Sequence, residues 1–450
     1  MEFEKKYSKK DILVLGYGIT GKSIIKFFIK KNVNIFLYDD KIDINHNYSK
    51  KVKLYNPIKK NLLDFSAIFV SPGINKSHEL IRNAIKEKVF ITSDIELFWE
   101  NKVINKINHP IVGITGTNGK STIAFMISNI LKTKPLGNFG NTVLDSFEQE
   151  NSYFVIELSS FQLEYIHNFK PNISIISNIR TDHLNYHKTF NKYLKAKINI
   201  SKNQTKEDFL IINNDDDNIK NFFKKKRNIN SQVIKISNKS RSNANVYYKN
   251  NIIYDDFFTK NKYVLKHNNF LKLKHNQLNA TIVFTALSAL GVKPSKIIND
   301  LNKFQGLPHR LEYVGTIKKI PFYNDSKATN VAATCSAINS FKKVILIVGG
   351  SDKGESFKDF NIYSNVIIDV YLVGDNALKI KKFLNKKIVN NICENLKEAV
   401  EKSFKKSLES GQYYPIIFSP ASASFDNYKN YEQRGNYFKK LFNDIKKKVA

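Results

Sequence analysis

Cysteine is almost absent. Cys335 and Cys393 are the only two in 450 residues, far apart and without metal-ligand spacing. That excludes a disulfide framework and suits a reducing cytoplasm. No stretch approaches the roughly 18 consecutive apolar residues that a membrane-spanning helix needs, so no membrane insertion is expected. The opening Met1-Glu-Phe-Glu-Lys-Lys carries no apolar segment before the first strand, so no signal peptide is expected either. Acidic residues are scarce: 40 Asp and Glu stand against 72 Lys and Arg, a formal net charge of +32. A basic excess can mark a nucleic-acid surface. Here the lysines run along the whole chain among Asn, Ile, Phe and Tyr, all with A/T-rich codons. Genome composition accounts for the charge, and no nucleic-acid partner is expected. The hydrophobic share of 42% supports real cores, and the length fits about three domains.

What is present centres on Ile111-Val-Gly-Ile-Thr-Gly-Thr-Asn-Gly-Lys-Ser-Thr122. An apolar run ends in glycines, then Lys120 and two hydroxyls, and residues 123–131 read as a helix. Backbone N–H groups of such a turn (Gly116, Thr117, Asn118, Gly119) can surround phosphate oxygens, and the helix N-terminus adds partial positive charge. Lys120 would reach the outer phosphates, and Ser121 or Thr122 could hold Mg2+. The strict phosphate-loop pattern wants glycine where Ile114 stands; Gly113 sits one residue earlier. The generic signature is met only from Gly119 onward, and an ordinary tight strand-to-helix turn is the competing reading.

Ahead of it, an apolar strand at 11–15 runs into Gly16-Tyr-Gly18-Ile-Thr-Gly21, a helix-like 22–31 and a second strand at 33–38 ending in Asp39-Asp40. A G-x-G-x-x-G turn with an acid about 20 residues on is the Rossmann fingerprint, able to hold any diphosphate. Glycines needed only for helix–strand packing would look the same. A buried strand at 67–70 ends in Ser71-Pro-Gly73-Ile74, followed by a helix over 78–88, a short strand at 89–92 and a polar linker over 100–109.

Beyond the phosphate-loop candidate, 153–157 is a strand ending in Glu157, where a nucleotide enzyme places an Mg2+ ligand and where a lone glutamate is otherwise an exposed cap. Asn138 lies in a turn-rich loop and offers an amide to a ligand. Asp182-His183 follows a strand at 173–176; the pair could bind metal, act in proton transfer or simply be solvated. Residues 188–200 are helix-like. Residues 224–262 carry short β-like pieces and no visible chemistry. Asn276 or Asn279, at the start of a helix, could contact a base, with capping as the alternative for Asn276. Arg310 suits a phosphate. Asn324-Asp325-Ser326-Lys327-Ala-Thr329-Asn330 packs an acid, an amine and hydroxyls into a short turn. Strands at 344–348, 369–373 and 416–418 alternate with helices, so the last part is α/β with a mostly parallel sheet.

Together these motifs closely resemble the Mur ligases of bacterial cell-wall synthesis, and are most similar to the D-glutamate-adding branch. The matching pieces fall in the family's order: 16–21, 71–74, Asp94-Ile-Glu96, 113–122, Glu157-Leu-Ser-Ser-Phe-Gln-Leu-Glu164, Asp182-His183, Leu307-Pro-His-Arg310, 324–330 and 419–435. The resemblance implies an α/β fold in three domains. These are an N-terminal Rossmann-like domain for a UDP-sugar (1–105), a central P-loop-type ATPase domain (106–305) and a C-terminal Rossmann-like domain for the incoming amino acid (306–450). It implies that ATP, UDP-N-acetylmuramoyl-L-alanine and D-glutamate give ADP, phosphate and the extended UDP-muramoyl dipeptide in the cytoplasm, on a monomer. One Mg2+ is implied on Ser121 and Glu157. A second would use His183 and a carbamylated Lys197, with Lys195 as the nearby competitor. The resemblance adds Asn279, Arg310 and Asp325 for ATP. For the UDP-sugar it adds Ile19, Thr20, Asp39, Gly73 and Asn138. For D-glutamate it adds Lys327, Thr329, Lys353, Ser424, Phe425 and Tyr431. Arg180 departs from the family, standing where relatives usually carry an acidic or small residue, and Tyr431 stands where Phe is common.

Rival readings explain less. The diaminopimelate-adding relatives carry an Asp-Asn-Pro-Arg motif that is absent here. An NAD-dependent oxidoreductase would use only residues 16–21 and Asp39, leaving Lys120, Glu157 and His183 idle. A nucleic-acid-binding protein would rest on charge alone.

Overall fold

The computed structural model describes residues 6–7, 10–40, 51–148, 152–225, 229–239, 243–266, 268, 270–271, 273–352, 354 and 356–449. The chain forms two compact units, one of residues 1–266 with 277–302 and one of 267–276 with 303–450. The first unit carries two sheets and the second carries one.

The first sheet has five parallel strands: β1 (Asp11–Leu15), β2 (Asn34–Tyr38), β3 (Val52–Leu54), β4 (Phe65–Val70) and β5 (Ile91–Thr92), in the order β3-β2-β1-β4-β5. The order reverses between β1 and β4, which opens a crevice beyond their carboxyl ends. The glycine turn follows β1 and the Ser71 turn follows β4, so both meet at that crevice.

The second sheet has nine strands. They are β6 (Ile111–Thr115), β7 (Pro135–Gly137), β8 (Phe154–Glu157), β9 (Ile173–Ile176), β10 (Phe209–Asn213), β11 (Gln232–Ser237), β12 (Val246–Lys249), β13 (Ile252–Asp255) and β14 (Asn261–Val264). Their order is β14-β13-β12-β11-β10-β9-β6-β8-β7. Every residue of β6, β8 and β9 is buried, as expected of inner parallel strands covered on both faces. The phosphate-loop candidate leaves β6, Glu157 ends β8, and Ser177-Asn178 follow β9. Within the polar stretch of residues 224–262, β11, β12 and β13 extend this sheet. Its last two strands turn antiparallel, with the Tyr247 and Tyr254 rings stacked 4.6 Å apart across β12 and β13.

Two expectations are revised. The linker expected over 100–109 is half helix, because Asp94–Ile104 is one helix burying Ile95, Leu97, Phe98 and Asn101 while Glu100 and Lys102 form its wetter side. The helix expected over 188–200 is preceded by a separate four-residue helix, Leu184–His187, and itself runs Phe190–Ile198. Glu96 ties the two sheets of the first unit together. Its carboxylate, wholly buried, accepts the backbone N–H groups of His167, Asn168 and Phe169 at 2.8, 2.7 and 3.1 Å. Charged acceptors on backbone donors are among the stronger hydrogen bonds.

The second unit is a six-stranded sheet in the order β15-β16-β20-β17-β18-β19. Its strands are β15 (Glu312–Ile317), β16 (Ile320–Asn324), β17 (Val344–Gly349), β18 (Ile367–Val373), β19 (Asn390–Ile392) and β20 (Ile416–Phe418). Only the β15–β16 pair is antiparallel. Among the described residues no helix is long and apolar enough to cross a membrane.

Candidate active site

The turn after β6 is tight and internally bonded, Thr117 N donating to Asn178 O at 2.8 Å. Gly116 has φ +154° and a Cβ there would overlap Ser177 Oγ; Gly119 has φ +83° and a Cβ there would lie 2.9 Å from Asn279 Oδ1. Both positions exclude any larger residue, and Asn279 sits against the loop. Gly113 belongs to the strand, where an added Cβ would press on Pro171 at 3.0 Å. The misplaced first glycine of the motif therefore serves sheet packing and lies outside the turn. Gly119 is the N-cap of the helix Lys120–Leu131. Asn178 pins the loop through Asn118 N at 2.9 Å. Lys120 Nζ folds back onto Gly116 O and Thr117 O, both at 2.9 Å.

Glu157 links this loop to the first sheet's crevice. It accepts Ser121 Oγ at 2.5 Å on one oxygen and Asn138 Nδ2 at 2.8 Å on the other. Asn138 in turn lines a cavity of about 500 Å³ together with Ile19, Thr20, Asp39 and Gly73. All five residues expected to face the UDP-sugar thus line one crevice. Ile19 is 79% exposed there. The glycines of the turn divide their work: a Cβ on Gly21 would overlap Gly16 O, whereas one on Gly18 would meet nothing. Packing explains the third glycine and an open crevice the second. Asp39 Oδ2 accepts Tyr17 N at 2.7 Å, bracing the turn from within.

Beside the loop lie His183 and Lys197. His183 has φ +52° and caps the helix Leu184–His187. Burial pushes its imidazole down, Lys197 and Lys120 push the same way, and Asp182 opposes them. Lys197 is 2% exposed. Its amine is held by Gly116 O at 2.8 Å and Thr115 Oγ1 at 3.4 Å, and lies 4.9 Å from the centre of the Tyr193 ring. Burial first, then Lys120, drives its basicity well below the ordinary lysine value. Lys195 is exposed on the same helix. Arg180 is drawn to the fully buried Asp216 at 3.1 Å, which also accepts Ile179 N at 3.1 Å. That buried carboxylate offsets its charge beside His183.

The second unit has its own polar cluster at the ends of β16 and β20. Asp325 accepts Ser419 Oγ at 2.7 Å and Leu311 N at 2.9 Å; burial pushes its carboxyl up to about 7, against those bonds and Arg310. Lys327 Nζ donates to Tyr431 Oη at 3.0 Å and lies over the same ring. Buried Arg434 donates to Ser326 O, Ser422 O and Ala423 O at 2.9, 3.0 and 2.9 Å. It fastens the turn carrying Lys327 and Thr329 to the one carrying Ser424 and Phe425. Ser424 is buried, and Phe425 is 74% exposed. Lys353 lies outside the described residues.

A Mur ligase middle domain is matched over residues 114–287 and a Mur ligase MurD-like N-terminal domain over residues 10–93. The UDP-N-acetylmuramoylalanine--D-glutamate ligase of Rickettsia bellii is 34% identical, covering 98% of each chain. That of Clostridioides difficile is 35% identical over 97% of this chain and 99% of its own. The chain belongs to the Mur ligase family. Solved structures share its fold: MurF ligase of Thermotoga maritima in complex with ADP (TM-score 0.60, 15% identity, 99% of this chain and 97% of that one). UDP-N-acetylmuramate-alanine ligase MurC of the same organism also aligns (TM-score 0.55, 17% identity, 97% and 99%).

One crevice-lining residue of this Mur ligase escaped the residue-by-residue sequence reading. Gln162 lines the same cavity as Asn138, its Oε1 fixed by Ser159 N at 3.1 Å and Ser159 Oγ at 3.0 Å. Its position inside Glu157-Leu-Ser-Ser-Phe-Gln-Leu-Glu164 was the available signal. Behind it, Asp94 is buried; burial pushes its carboxyl up to about 6, against the hydrogen bond from Gln162 and backbone donors. Folded Asp94 thus keeps a proton that the unfolded chain has lost. Stability falls as pH rises from the unfolded value toward the folded one, and the loss persists above it. Asp94→Asn is expected to recover on the order of 2–3 kcal/mol near neutral pH and to flatten the slope between about pH 4 and 6. Thermal melts across that range check this; parallel curves for both proteins would refute it.

Proposed function

We propose that this Mur ligase adds D-glutamate to UDP-N-acetylmuramoyl-L-alanine with cleavage of ATP to ADP and phosphate, in peptidoglycan precursor synthesis. The observation that carries the reading is the end-to-end similarity to D-glutamate ligases, 34% and 35% identical over 98% and 97% of the chain. The fit of Lys120, Ser121, Glu157 and Asn138 into one connected site supports it.

A carboxylate does not react with an amine at useful rates, so it is activated first. A carboxylate oxygen of the UDP-sugar attacks the γ-phosphorus, and the bond to the ADP oxygen breaks, giving an acyl phosphate and ADP. The nitrogen of D-glutamate then attacks the acyl carbon through a tetrahedral intermediate, phosphate leaves, and the nitrogen loses a proton. Catalysis of both steps is positioning and charge neutralisation. Lys120 and the N–H groups that open its helix take the phosphates, those of Thr117 and Asn118 being held by Asn178, while Asn279, Arg310 and Asp325 are assigned to the rest of ATP. Ile19, Thr20, Asp39, Gly73 and Asn138 hold the UDP-sugar. Lys327, Thr329, Lys353, Ser424, Phe425 and Tyr431 receive D-glutamate, whose two carboxylates call for cations and hydroxyls.

Mg2+ fits the hard-oxygen pair of Ser121 and Glu157, and His183 with a carbamylated Lys197 forms the second assigned set; when bound, the ion neutralises phosphate charge. Neutral imidazole is the form that ligates metal, and the environment of His183 favours it. We assign residues 1–105, 106–305 and 306–450 to the UDP-sugar, ATP and amino-acid domains of a cytoplasmic monomer, a setting with which the two free buried thiols agree.

The test is amino-acid dependence. Phosphate release from ATP is expected only with UDP-N-acetylmuramoyl-L-alanine and D-glutamate both present, and not with L-alanine, L-glutamate or meso-diaminopimelate. Stimulation by one of these instead of D-glutamate would overturn the substrate assignment.

A further inference from the structure

His183 sits on a segment that cannot hold its own shape. The helix Leu184–His187 has four residues, and its flanking residues His183 and Lys188 both have left-handed φ, +52° and +66°. So short a helix has no independent stability, and neither flank is a glycine that would tolerate the conformation. Something outside the segment fixes it.

The fixing groups form a chain that leads away from the phosphate loop. The His183 ring packs against Phe161, centroids 4.9 Å apart at 62°. Phe161 lies flat against His187, 3° from parallel at 5.5 Å. The His187 side chain is wholly buried; its Nε2 meets Ser160 Oγ at 2.9 Å, and its Nδ1 faces Glu164 Oε1 at 3.5 Å. The same Glu164 oxygen pairs with Lys76 Nζ at 3.1 Å. Lys76 closes the loop that begins Ser71-Pro-Gly73-Ile74, one wall of the crevice. Lys76 also lies 5.4 Å from the centre of the Tyr165 ring. The wall of the sugar crevice is thereby joined to His183 by one ion pair, one histidine and one aromatic ring. Neither Lys76 nor His187 has a part in the mechanism above.

We propose that Glu164, held between Lys76 and His187, is a positioning residue that sets His183 through Phe161, so that occupation of the sugar crevice is felt at the phosphate loop. The proposal rests on the functional reading of the crevice and of His183. Glu164 is suited to the task. It is nearly buried and carries the one negative charge that its two partners share. A packed aromatic stack transmits a small displacement because it has few alternative arrangements. Ligand-driven movement of the 71–76 loop is the input, and the orientation of the His183 ring is the output.

The experiment compares the full-length wild type with Lys76→Met and Glu164→Gln and the double variant. Lys76 is on the surface, so its variant folds. Histidine ring resonances are followed on adding UDP-N-acetylmuramoyl-L-alanine without ATP. The His183 signal is expected to shift in the wild type and to lose most of that shift in Lys76→Met, although the variant still binds the sugar. In steady state each single variant is expected to lower kcat about tenfold with the KM for ATP unchanged. The double variant should be no slower than the worse single one, the sign of a shared path. Equal His183 shifts in wild type and Lys76→Met, or single effects that multiply, would overturn the coupling. A wild type that fails to bind the UDP-sugar would instead overturn the functional reading on which it rests.

Discussion

Replacing Lys120 with alanine is expected to abolish D-glutamate-dependent phosphate release while leaving the thermal unfolding midpoint unchanged. The two halves of that expectation have separate causes. The amine donates to two carbonyl oxygens of its own loop, Gly116 O and Thr117 O, at 2.9 Å each. It is tethered where an incoming phosphate would exchange with neutral acceptors. A fixed cation at a transferring phosphoryl group is a preorganised charge, and removing one such donor lowers turnover by about a hundredfold to a thousandfold. Stability has little to lose. Lys120 is the first residue of the helix Lys120–Leu131 and is only partly buried. A cation at a helix N-terminus opposes the helix dipole, and alanine is the better helix former by a few tenths of a kcal/mol. Lys120→Arg separates charge from shape: it keeps the cation but replaces a compact ammonium with a planar, more diffuse guanidinium. It is expected to recover little activity. Substantial turnover in Lys120→Ala with an unaltered melt would show that the turn after β6 is not the phosphate site.

How much of this was legible in the sequence depends on distance along the chain. The strand–turn–helix around Gly116 to Thr122 could be read because apolar run, glycines and lysine are contiguous. The crevice residues after β1 could be read for the same reason. The position of Gly113 could not, since its constraint comes from Pro171, far along the chain. Nor could the fate of Arg180, because Asp216 reaches it from a different strand's end. Residues 224–262 looked empty because they serve as sheet extension rather than chemistry. Their burial does not alternate in a way the sequence could show: β12 buries Val246, Tyr247 and Tyr248 in a row, and no residue of β14 is buried. A linker was expected over 100–109 for a related reason: the outer face of the helix Asp94–Ile104 is polar there. In the second unit the residues alone suggested a phosphate for Arg310 and a polar turn at 324–330, and the other roles came from family likeness. Composition says nothing about why Lys327 should face Tyr431 across 104 residues.

The Lys197 assignment can be tested more sharply than any other. A carbamate forms when the lone pair of a neutral amine attacks CO2, one proton leaves to solvent, and the nitrogen keeps one hydrogen. Most lysines fail at the first requirement, since they are charged at neutral pH. Lys197 meets it: burial and the nearby Lys120 both disfavour its charged form, whereas the competitor Lys195 is exposed. The retained N–H can keep the bond to Gly116 O, so the modification needs no rearrangement of the loop. It also places an anion beside Lys120, where a charged amine is disfavoured and a carbamate is attracted. The folded wild-type protein is therefore expected to carry one additional CO2 on Lys197, seen as a carbamate carbon resonance with 13C-labelled CO2 and lost on acidification. Lys197→Ala is expected to lower turnover by about a hundredfold or more, the scale of losing one preorganised charged group. A small carboxylate that fits the vacated space should restore part of it. Lys197→Arg, which cannot be carbamylated, should be as slow as alanine and gain nothing from the added carboxylate. Full activity of Lys197→Ala without added anion, or no carbamate resonance from the folded, fully active wild type, would remove the carbamate from the site. Lys197 would then be a buried amine whose bonds to Gly116 and Thr115 serve only to shape the loop.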